Sequence, residues 1–204
     1  MKVNEFLDIL ENNLLNKDTK YRLGTFFNKR DGSKYLCDCS GLIKACFWGY
    51  PSNGVYQKNL KDMNADTMIK QCIHVSSDFS RILPGELVWI KGHIGIYLRD
   101  GVVIECTPKW KNGVQLTYLN NGINQNIYGL HERKWSKHGK FKYIDYSTSN
   151  NNVNNSSRVD INKVVDDVIN GKYGNGHETR KKGIEKLGLN YAEVRKLVNQ
   201  KLKG

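Results

Sequence analysis

Cys39 is the residue of this 204-residue chain whose surroundings best suit nucleophilic chemistry. Asp38-Cys39-Ser40 comes directly before a helical pattern in which apolar residues recur four positions apart between Leu42 and Phe47. This pattern predicts a thiol at a helix N-terminus, where unpaired backbone N–H groups and the helix dipole stabilise negative charge. Because the thiolate is the nucleophile and an ordinary cysteine has a pKa of about 8.5, we expect this position to favour ionisation.

His93 and Glu105 could activate this thiol, since they lie twelve positions apart on two predicted strands that flank Asp100-Gly101. If the turn holds three residues, Leu98 faces Val102, and the two side chains become diagonal neighbours about 7–8 Å apart at Cα. A two-residue turn would place them on opposite faces, because a shift of one residue reverses every side chain. The longer turn would let Glu105 hold the imidazole in the tautomer that faces the thiol, as the third member of a triad.

The other cysteines and histidines receive structural interpretations. An odd number of cysteines, five, in a chain without a predicted secretion signal favours free thiols over a disulfide framework. Three of them are interpreted as small core residues: Cys46, Cys72 and Cys106. Three histidines are expected at the surface: His74, His131 and His138. Because the chain has neither a CxxC pair nor an HxxxH motif, we predict no metal and no cofactor. A zinc site built from Cys37, Cys39 and a distant histidine is the open alternative.

A polar segment divides the chain. Ser147–Ser157 consists almost entirely of Ser, Thr and Asn, which predicts a flexible linker. Residues 1–146 are therefore assigned to a first domain, 147–157 to the linker and 158–204 to a second domain.

The first domain is predicted to have an α+β fold. The spacing of apolar residues over Met1–Leu15 predicts an amphipathic helix that packs on the core. Segments rich in β-branched and aromatic residues follow, separated by turn formers, and they predict consecutive antiparallel strands. The four segments are Glu86–Lys91, His93–Leu98, Val102–Thr107 and Val114–Leu119. Phe141–Tyr146 is predicted to supply a further strand.

The second domain is predicted to contain three short helices. Five apolar residues repeat at helical spacing in the first of them: Ile161, Val164, Val165, Val168 and Ile169. The second helix is predicted from about Glu178 to Leu187, and the third begins after Asn190, which forms a capping box with Glu193. A domain this small has a limited core, so we expect Tyr173 and Tyr191 to add to its packing.

Charge and hydropathy restrict the partners. The net charge of +12 predicts an anionic partner, for which we favour the cell wall over nucleic acid, because no basic helix with interleaved aromatic residues is present. No apolar run approaches the ~20 residues that a membrane span needs. Acidic residues within Met1–Leu15 argue against a secretion signal. We therefore expect synthesis in the cytoplasm, no membrane partner, and action on the wall after release.

Four motifs, in order, resemble the NlpC/P60 family of papain-like cell-wall peptidases: Tyr21-Arg22-Leu23-Gly24, Asp38-Cys39-Ser40-Gly41-Leu42, Pro84-Gly85-Glu86-Leu87-Val88 and Gly92-His93-Ile94-Gly95-Ile96-Tyr97. The resemblance covers residues 1–146 and implies a hydrolase that cuts an amide bond of the peptidoglycan stem peptide. Cys39 would attack, His93 would be the base, and Tyr21 would help the backbone N–H of Cys39 to hold the oxyanion. Asp38 and Ser40, beside the nucleophile, are candidates for substrate contact.

Glu105 departs from the family pattern, in which the third polar residue is commonly His, Asn or Gln. A carboxylate here is similar to the related CHAP amidases, so endopeptidase and amidase activity both stay open. Glu105–Trp110, together with Trp135–Gly139, resembles the phage-type branch of these enzymes. Trp110 is therefore a candidate residue of the substrate groove, and a packing role fits it equally well.

Residues 159–203 resemble the CW_7 family of cell-wall-binding repeats, through Val165–Gly176, Arg180 and Leu187–Tyr191. The resemblance implies binding of muropeptides near the Gly-Asn-Gly loop. Four residues become candidates for that contact: Tyr173, Asn175, Arg180 and Tyr191.

These features together predict a peptidoglycan hydrolase of the phage endolysin type, acting on Gram-positive walls. Tethering a hydrolase to its insoluble substrate raises its effective concentration there. Three other functions stay open: a wall-binding protein without catalysis, a cytosolic thiol acyltransferase on the same scaffold, and nucleic-acid binding.

Overall fold

The computed structural model describes residues 1–49, 60–122, 125–147, 161–174, 176–185 and 191–202. The chain separates into two compact units, Met1–Asn151 and Asn152–Gly204. The predicted linker lies outside the described residues except for Ser147, so the domain boundaries given above stay a prediction.

The first unit begins with the amphipathic helix that the apolar spacing predicts. Helix α1 spans Val3–Asp8 and continues as a π-helical segment over Ile9–Leu14. Four residues of this stretch are buried in the core: Val3, Phe6, Leu10 and Leu14.

Helix α2 positions the candidate nucleophile. It spans Cys39–Trp48, and all ten of its residues are buried. Asp38 caps its N-terminus by accepting a hydrogen bond from the backbone N–H of Gly41. A Cβ at Gly41 would lie 2.0 Å from the carbonyl oxygen of Thr25, so this close approach requires glycine. Because burial stabilises each large apolar side chain by about 1.5–3 kcal/mol, α2 is a fixed part of the core.

A small sheet lies beside α2. Its strands are β1 (Thr19–Tyr21), β2 (Phe26–Asp31) and β3 (Lys34–Cys37), in the order β1-β3-β2 with β1 parallel to β3. The sequence analysis did not predict this sheet. Its strands are short, and a register shift after Phe26 interrupts the alternation of apolar and polar residues in β2.

The larger sheet has seven strands among the described residues, in the order β4-β10-β5-β6-β7-β8-β9. Neighbouring strands are antiparallel except β8 and β9, which are parallel. The strands are β4 (Cys72–Ser76), β5 (Leu87–Ile90), β6 (His93–Arg99), β7 (Val102–Thr107), β8 (Gly113–Leu119), β9 (Glu132–Arg133) and β10 (Lys137–Phe141). The four consecutive strands predicted between residues 86 and 119 are present, and the α+β class is confirmed.

The strand predicted at Phe141–Tyr146 is wrong. β10 instead ends at Phe141, where the N–H of Ile144 donates to the Phe141 carbonyl and turns the chain. A short helix, α3 (Ala65–Lys70), precedes β4. None of the helices within the described ranges is long and apolar enough to cross a membrane.

The surface position expected for His138 is also wrong. His138 is 4% exposed, and its Nδ1 hydrogen-bonds the buried carboxylate of Glu86. Its Nε2 lies 2.8 Å from the carbonyl oxygen of Asp78. Strand β10 pairs with β5 at this point and carries the imidazole inward, a placement that the irregular spacing of apolar residues around it does not reveal.

The second unit contains α4 (Ile161–Ile169), α5 (His177–Glu185) and α6 (Tyr191–Lys201). Six buried residues form its core: Val164, Val165, Val168, Ile184, Val194 and Val198. Ile169, which the spacing predicts on the same face, is 37% exposed. Tyr173 and Tyr191 pack against the core, as the small size of this unit led us to expect.

Candidate active site

The hairpin of β6 and β7 brings His93 and Glu105 to one face of the sheet, but its turn differs from the one that the sequence predicts. The turn holds two residues, Asp100-Gly101, with φ angles of 50° and 81°. Positive φ at both positions is what a type I′ turn requires. The predicted three-residue turn is therefore wrong.

A β-bulge corrects the register. β6 has one extra residue between Tyr97 and Arg99. Arg99 pairs with Val102 next to the turn, and beyond the bulge Tyr97 pairs with Val103 and sets the register for the rest of the hairpin. This is the register that a three-residue turn would have produced. His93 and Glu105 therefore lie on the same face as diagonal neighbours, and the condition that the candidate triad needs is met.

His93 and Glu105 are joined directly. The distance from His93 Nε2 to Glu105 Oε2 is 2.6 Å. Since the carboxylate accepts, Nε2 carries the proton in the neutral imidazole, and Nδ1 is left as the unprotonated nitrogen. The pair thereby selects the tautomer that can accept a proton from a nucleophile.

Glu105 is held as a carboxylate although it is fully buried. Thr117 Oγ1 donates to Oε1 at 2.6 Å, and Arg133 contacts both carboxylate oxygens, with Nε at 2.9 Å and Nη2 at 2.8 Å. Burial raises the pKa of Glu105, but the hydrogen bonds from His93 and Arg133 outweigh it and leave this pKa below the ordinary value. The negative charge beside His93 is therefore present at neutral pH.

The Cys39 thiol lies at the start of β6. The backbone N–H groups of Ile94 and Ser40 point to the sulfur and act to lower its pKa. Burial and the nearby carboxylate of Asp38 act in the opposite direction and raise the pKa of Cys39 to about 11. The resting group is thus a thiol, which differs from the ionised cysteine that the helix N-terminus predicts.

Burial is the largest cause of this difference, and the charge of Asp38 is the next. The Asp38 carboxylate accepts hydrogen bonds from Gly41 N at 2.6 Å, Ser40 Oγ at 3.0 Å and Gly24 N at 2.7 Å. The N–H of Gly41 at the helix terminus therefore binds the Asp38 carboxylate, and this carboxylate adds negative charge beside the sulfur. Asp38, the N-cap of α2, and Ser40 are both buried in this arrangement, and the substrate contact suggested for them stays a prediction.

Tyr21 lies close to the thiol, at the end of β1. Its backbone N–H donates to Asn112 Oδ1 at 2.9 Å, while Thr19 Oγ1 accepts from Val114 N at 2.8 Å, so β1 is tied to β8. Burial, followed by the charges of Cys39 and Asp38, raises the pKa of Tyr21 to about 12. The phenol therefore keeps its proton and remains a hydrogen-bond donor.

Trp135 packs on the imidazole. The two rings stack with centroids 5.6 Å apart and planes inclined by 14°. This contact depends on Gly95, where a Cβ would lie 2.9 Å from Val103 Cγ1 and 3.1 Å from Trp135 Cη2. The second glycine of the Gly-His-Ile-Gly motif thus leaves room for the indole that flanks the candidate base.

Trp110 lies in the loop between β7 and β8 and has a positive φ of 61°, which is rare for a bulky residue. Its ring stacks on His131, with centroids 5.1 Å apart and planes inclined by 4°. Gln115 Nε2 ties the loop by donating to the carbonyls of Thr107 at 3.2 Å and Lys109 at 3.0 Å. Trp110 is half-buried against these neighbours, and its predicted place in a substrate groove stays a prediction.

The sequence analysis missed Thr117 and Arg133 as partners of Glu105. The register could have revealed Thr117, because Glu105 pairs with Gln115 and the residue two positions on lies on the same face. Arg133 lies on the two-residue strand β9, which no periodicity indicates. Across the described ranges, no group of three or more His, Cys, Asp or Glu residues could hold a metal ion.

The second unit places two of its four candidate residues at one cavity. Arg180 and Tyr191 line a surface cavity of about 270 Å³, together with Arg195, Asn199 and apolar residues of α4–α6. Arg180 Nε also donates to the carbonyl of Gly174 at 3.0 Å. Tyr173 packs against Gly183 instead, and Asn175 lies outside the described residues.

Comparison with known proteins identifies the second unit. The CW_7 repeat family matches residues 162–202, so a CW_7 repeat is present in this chain. No curated protein matches the chain.

Several solved structures resemble this chain at low identity, each over about two thirds of its length. NlpC2 from Trichomonas vaginalis is 17% identical, over 69% of this chain and 46% of that one, with a TM-score of 0.42. The P60 domain of an antigen from M. avium subspecies paratuberculosis is 16% identical, over 68% of this chain and 93% of that one, with a TM-score of 0.43. The peptidoglycan hydrolase RipB from Mycobacterium tuberculosis is 15% identical, over 68% and 64%, with a TM-score of 0.44. This chain thus spans less than half of the Trichomonas protein.

Proposed function

We propose that this protein is a cysteine-dependent peptidoglycan hydrolase that its CW_7 repeat directs to the cell wall. The observation that carries the proposal is the ordered pair of His93 and Glu105, 2.6 Å apart, at the strand end where the Cys39 sulfur meets the N–H of Ile94. Nucleophile, base and orienting carboxylate are the parts that amide hydrolysis by a thiol requires. The motifs that resemble NlpC/P60 peptidases contain two of these residues, Cys39 and His93, and the resemblance implies a papain-like fold, while Glu105 stands where the family commonly has His, Asn or Gln.

The reaction would begin from a neutral thiol and a neutral imidazole. As Cys39 Sγ attacks the carbonyl carbon of the substrate amide, Nδ1 of His93 takes the thiol proton. The imidazolium then gives this proton to the leaving amine as the C–N bond breaks, and a thioester remains on Cys39. Water attacks the thioester with His93 again as the base, which releases a carboxylic acid and restores the thiol.

The oxyanion of each tetrahedral intermediate needs hydrogen-bond donors. The backbone N–H of Cys39 and the Tyr21 hydroxyl are our candidates. Because the pKa of Tyr21 is raised to about 12, its hydroxyl stays protonated throughout the neutral range and can donate. Removing one such donor typically costs about 10²–10³ in rate, so Tyr21→Phe is expected to slow the enzyme without preventing substrate binding.

The decisive experiment compares clearing of purified Gram-positive cell walls by single variants. Cys39→Ala and His93→Ala should each abolish clearing, whereas Cys46→Ser, which changes a buried thiol of the same helix, should retain it. Clearing by Cys39→Ala at the parent rate would refute the mechanism. If the parent and Cys39→Ala both left the walls intact, the result would instead favour a wall-binding protein without catalysis.

The scissile bond and the biological setting belong to the same proposal. Mass spectrometry of digested walls assigns the bond, because new L-Ala amino termini mark an amidase and shortened stem peptides mark an endopeptidase. For the endolysin role, expression inside bacteria should cause lysis only when a pore-forming protein is expressed as well. Lysis by this protein alone would reject that role and leave the hydrolase assignment intact.

A further inference from the structure

Arg133 makes the most elaborate contact with the candidate triad, although it lies far from Cys39, His93 and Glu105 in sequence. Its Nε and Nη2 donate to Oε1 and Oε2 of Glu105 at 2.9 Å and 2.8 Å. The side chain is 12% exposed, and that of Glu105 is fully buried. A two-point contact of this kind fixes the plane of the carboxylate as well as its position.

Two tryptophans hold the guanidinium in place. Arg133 Cζ lies 4.9 Å from the ring centre of Trp110 and 5.5 Å from that of Trp135. Trp110 takes its place in this arrangement with a left-handed backbone, which costs of order 1–3 kcal/mol in a residue other than glycine and persists only where the surroundings enforce it. The contact of Arg133 with two indoles thus involves both the loop before β8 and the segment after β9.

The charge of Arg133 changes what Glu105 can do to His93. A lone buried carboxylate 2.6 Å from an imidazole would stabilise the protonated ring and keep the base occupied by a proton. The guanidinium offsets this charge, so that the three groups together carry no net charge while the imidazole is neutral. Glu105 then orients the ring without holding it in the protonated form.

We propose that Arg133 is a positioning residue of the triad, which keeps Glu105 ionised and aligned while leaving His93 free to accept the thiol proton. The inference rests on the proposed function for its catalytic meaning, but its electrostatic content can be measured without any activity. It also adds a fourth member to the proposed Cys-His-Glu triad, supplied by a strand that carries no other candidate residue.

The test is a double-mutant cycle of Arg133 and Glu105, in which the measured quantity is the pH midpoint at which His93 gains its proton. Histidine-labelled protein is titrated by NMR, with the His93 signal assigned from its loss in His93→Gln. Arg133→Met removes a positive charge near the ring and should raise the titration midpoint by about one pH unit. Glu105→Gln should lower it, and Arg133→Met combined with Glu105→Gln should return it close to the parent value, because the pair is removed together.

Wall clearing gives the second readout. The acid limb of the pH–rate profile should move upward with the NMR midpoint in Arg133→Met, whereas a purely structural loss would lower the rate equally at every pH. Arg133→Lys keeps the charge without the fork, so it should preserve the midpoint and lose part of the rate. Arg99→Met serves as the matched control, since it breaks an exposed ion pair with Glu11 and should change neither readout.

The outcomes separate this inference from the proposed function. An unmoved His93 midpoint in a folded Arg133→Met protein, with the rate lowered evenly across pH, would overturn the role of Arg133. A shifted midpoint in a protein that clears no walls would uphold the electrostatic role and reject the hydrolase. If Arg133→Met does not fold, the double variant with Glu105→Gln still tests the claim, because it leaves no buried charge unpaired.

Discussion

Gly95→Ala is the substitution whose effect on the site can be worked out most directly. The added Cβ would lie 2.9 Å from Val103 Cγ1, 3.1 Å from the Ile104 carbonyl oxygen and 3.1 Å from Trp135 Cη2. The oxygen belongs to the backbone of the neighbouring strand and cannot yield easily, so the indole must move. Overpacking of this kind costs about 1–3 kcal/mol. For a unit of this size, about 2 kcal/mol lowers the melting temperature by about 4–8 °C.

The same displacement should reach the candidate base, because the Trp135 ring stacks on His93 at 5.6 Å. A shift of about 1 Å in a catalytic group can cost of order 100-fold in rate, so we expect kcat/KM on soluble muropeptides to fall at least tenfold. Calorimetry and steady-state kinetics measure the two effects.

Trp135→Phe removes the Cη2 atom that Gly95→Ala would strike, and it serves as the partner in a double-mutant cycle. The combined variant should lose less stability than the sum of the single changes, with a coupling of about 0.5–3 kcal/mol. Our reasoning fails if Gly95→Ala melts within a degree of the parent and clears walls equally well, or if the two changes are additive.

Three further predictions concern pH and the second unit. Burial lowers the pKa of His138, but the Glu86 carboxylate and the Asp78 carbonyl outweigh it and raise this pKa above the ordinary value of 6.5. The stabilisation is therefore present below about pH 6.5 and lost as pH rises through the raised pKa, so thermal melts should show stability falling above that pH in the parent and a flatter profile in His138→Gln. Because the pKa of Cys39 is raised to about 11, its labelling by iodoacetamide, followed by peptide mass spectrometry, should rise about tenfold per pH unit between about pH 7 and 9; a flat profile would indicate a preformed thiolate instead. Arg180→Ala should weaken co-sedimentation with cell walls by about tenfold, because Arg180 lines the cavity of the second unit. Lys172→Ala, an exposed change in the same unit, should leave co-sedimentation unchanged. If the two variants co-sediment with walls to the same extent, the wall contact of Arg180 is rejected.

The parts of the site that the sequence predicts are those that depend on local pattern. The apolar spacing after Asp38 indicates the start of α2, and a helix start follows from residues that are neighbours in the chain. The β-rich segments around Asp100-Gly101 indicate β6 and β7 for the same reason, since alternation and turn formers act over a few residues. The register was reached from a wrong turn length, because a bulge depends on packing and leaves no signal in the residues of the turn.

Cys39, His93 and Glu105 can therefore be chosen from the sequence alone, as can the helical pattern and CW_7 motifs of the second unit. Only the tertiary structure decides their chemical state. The pKa of Cys39 follows from burial and from the carboxylate of Asp38. The charge of Glu105 follows from its hydrogen bonds with His93 and with Arg133, which lies 28 residues further along the chain. Electrostatic energy depends on distance in space and on exclusion of water, and neither quantity is written in the order of residues along the chain.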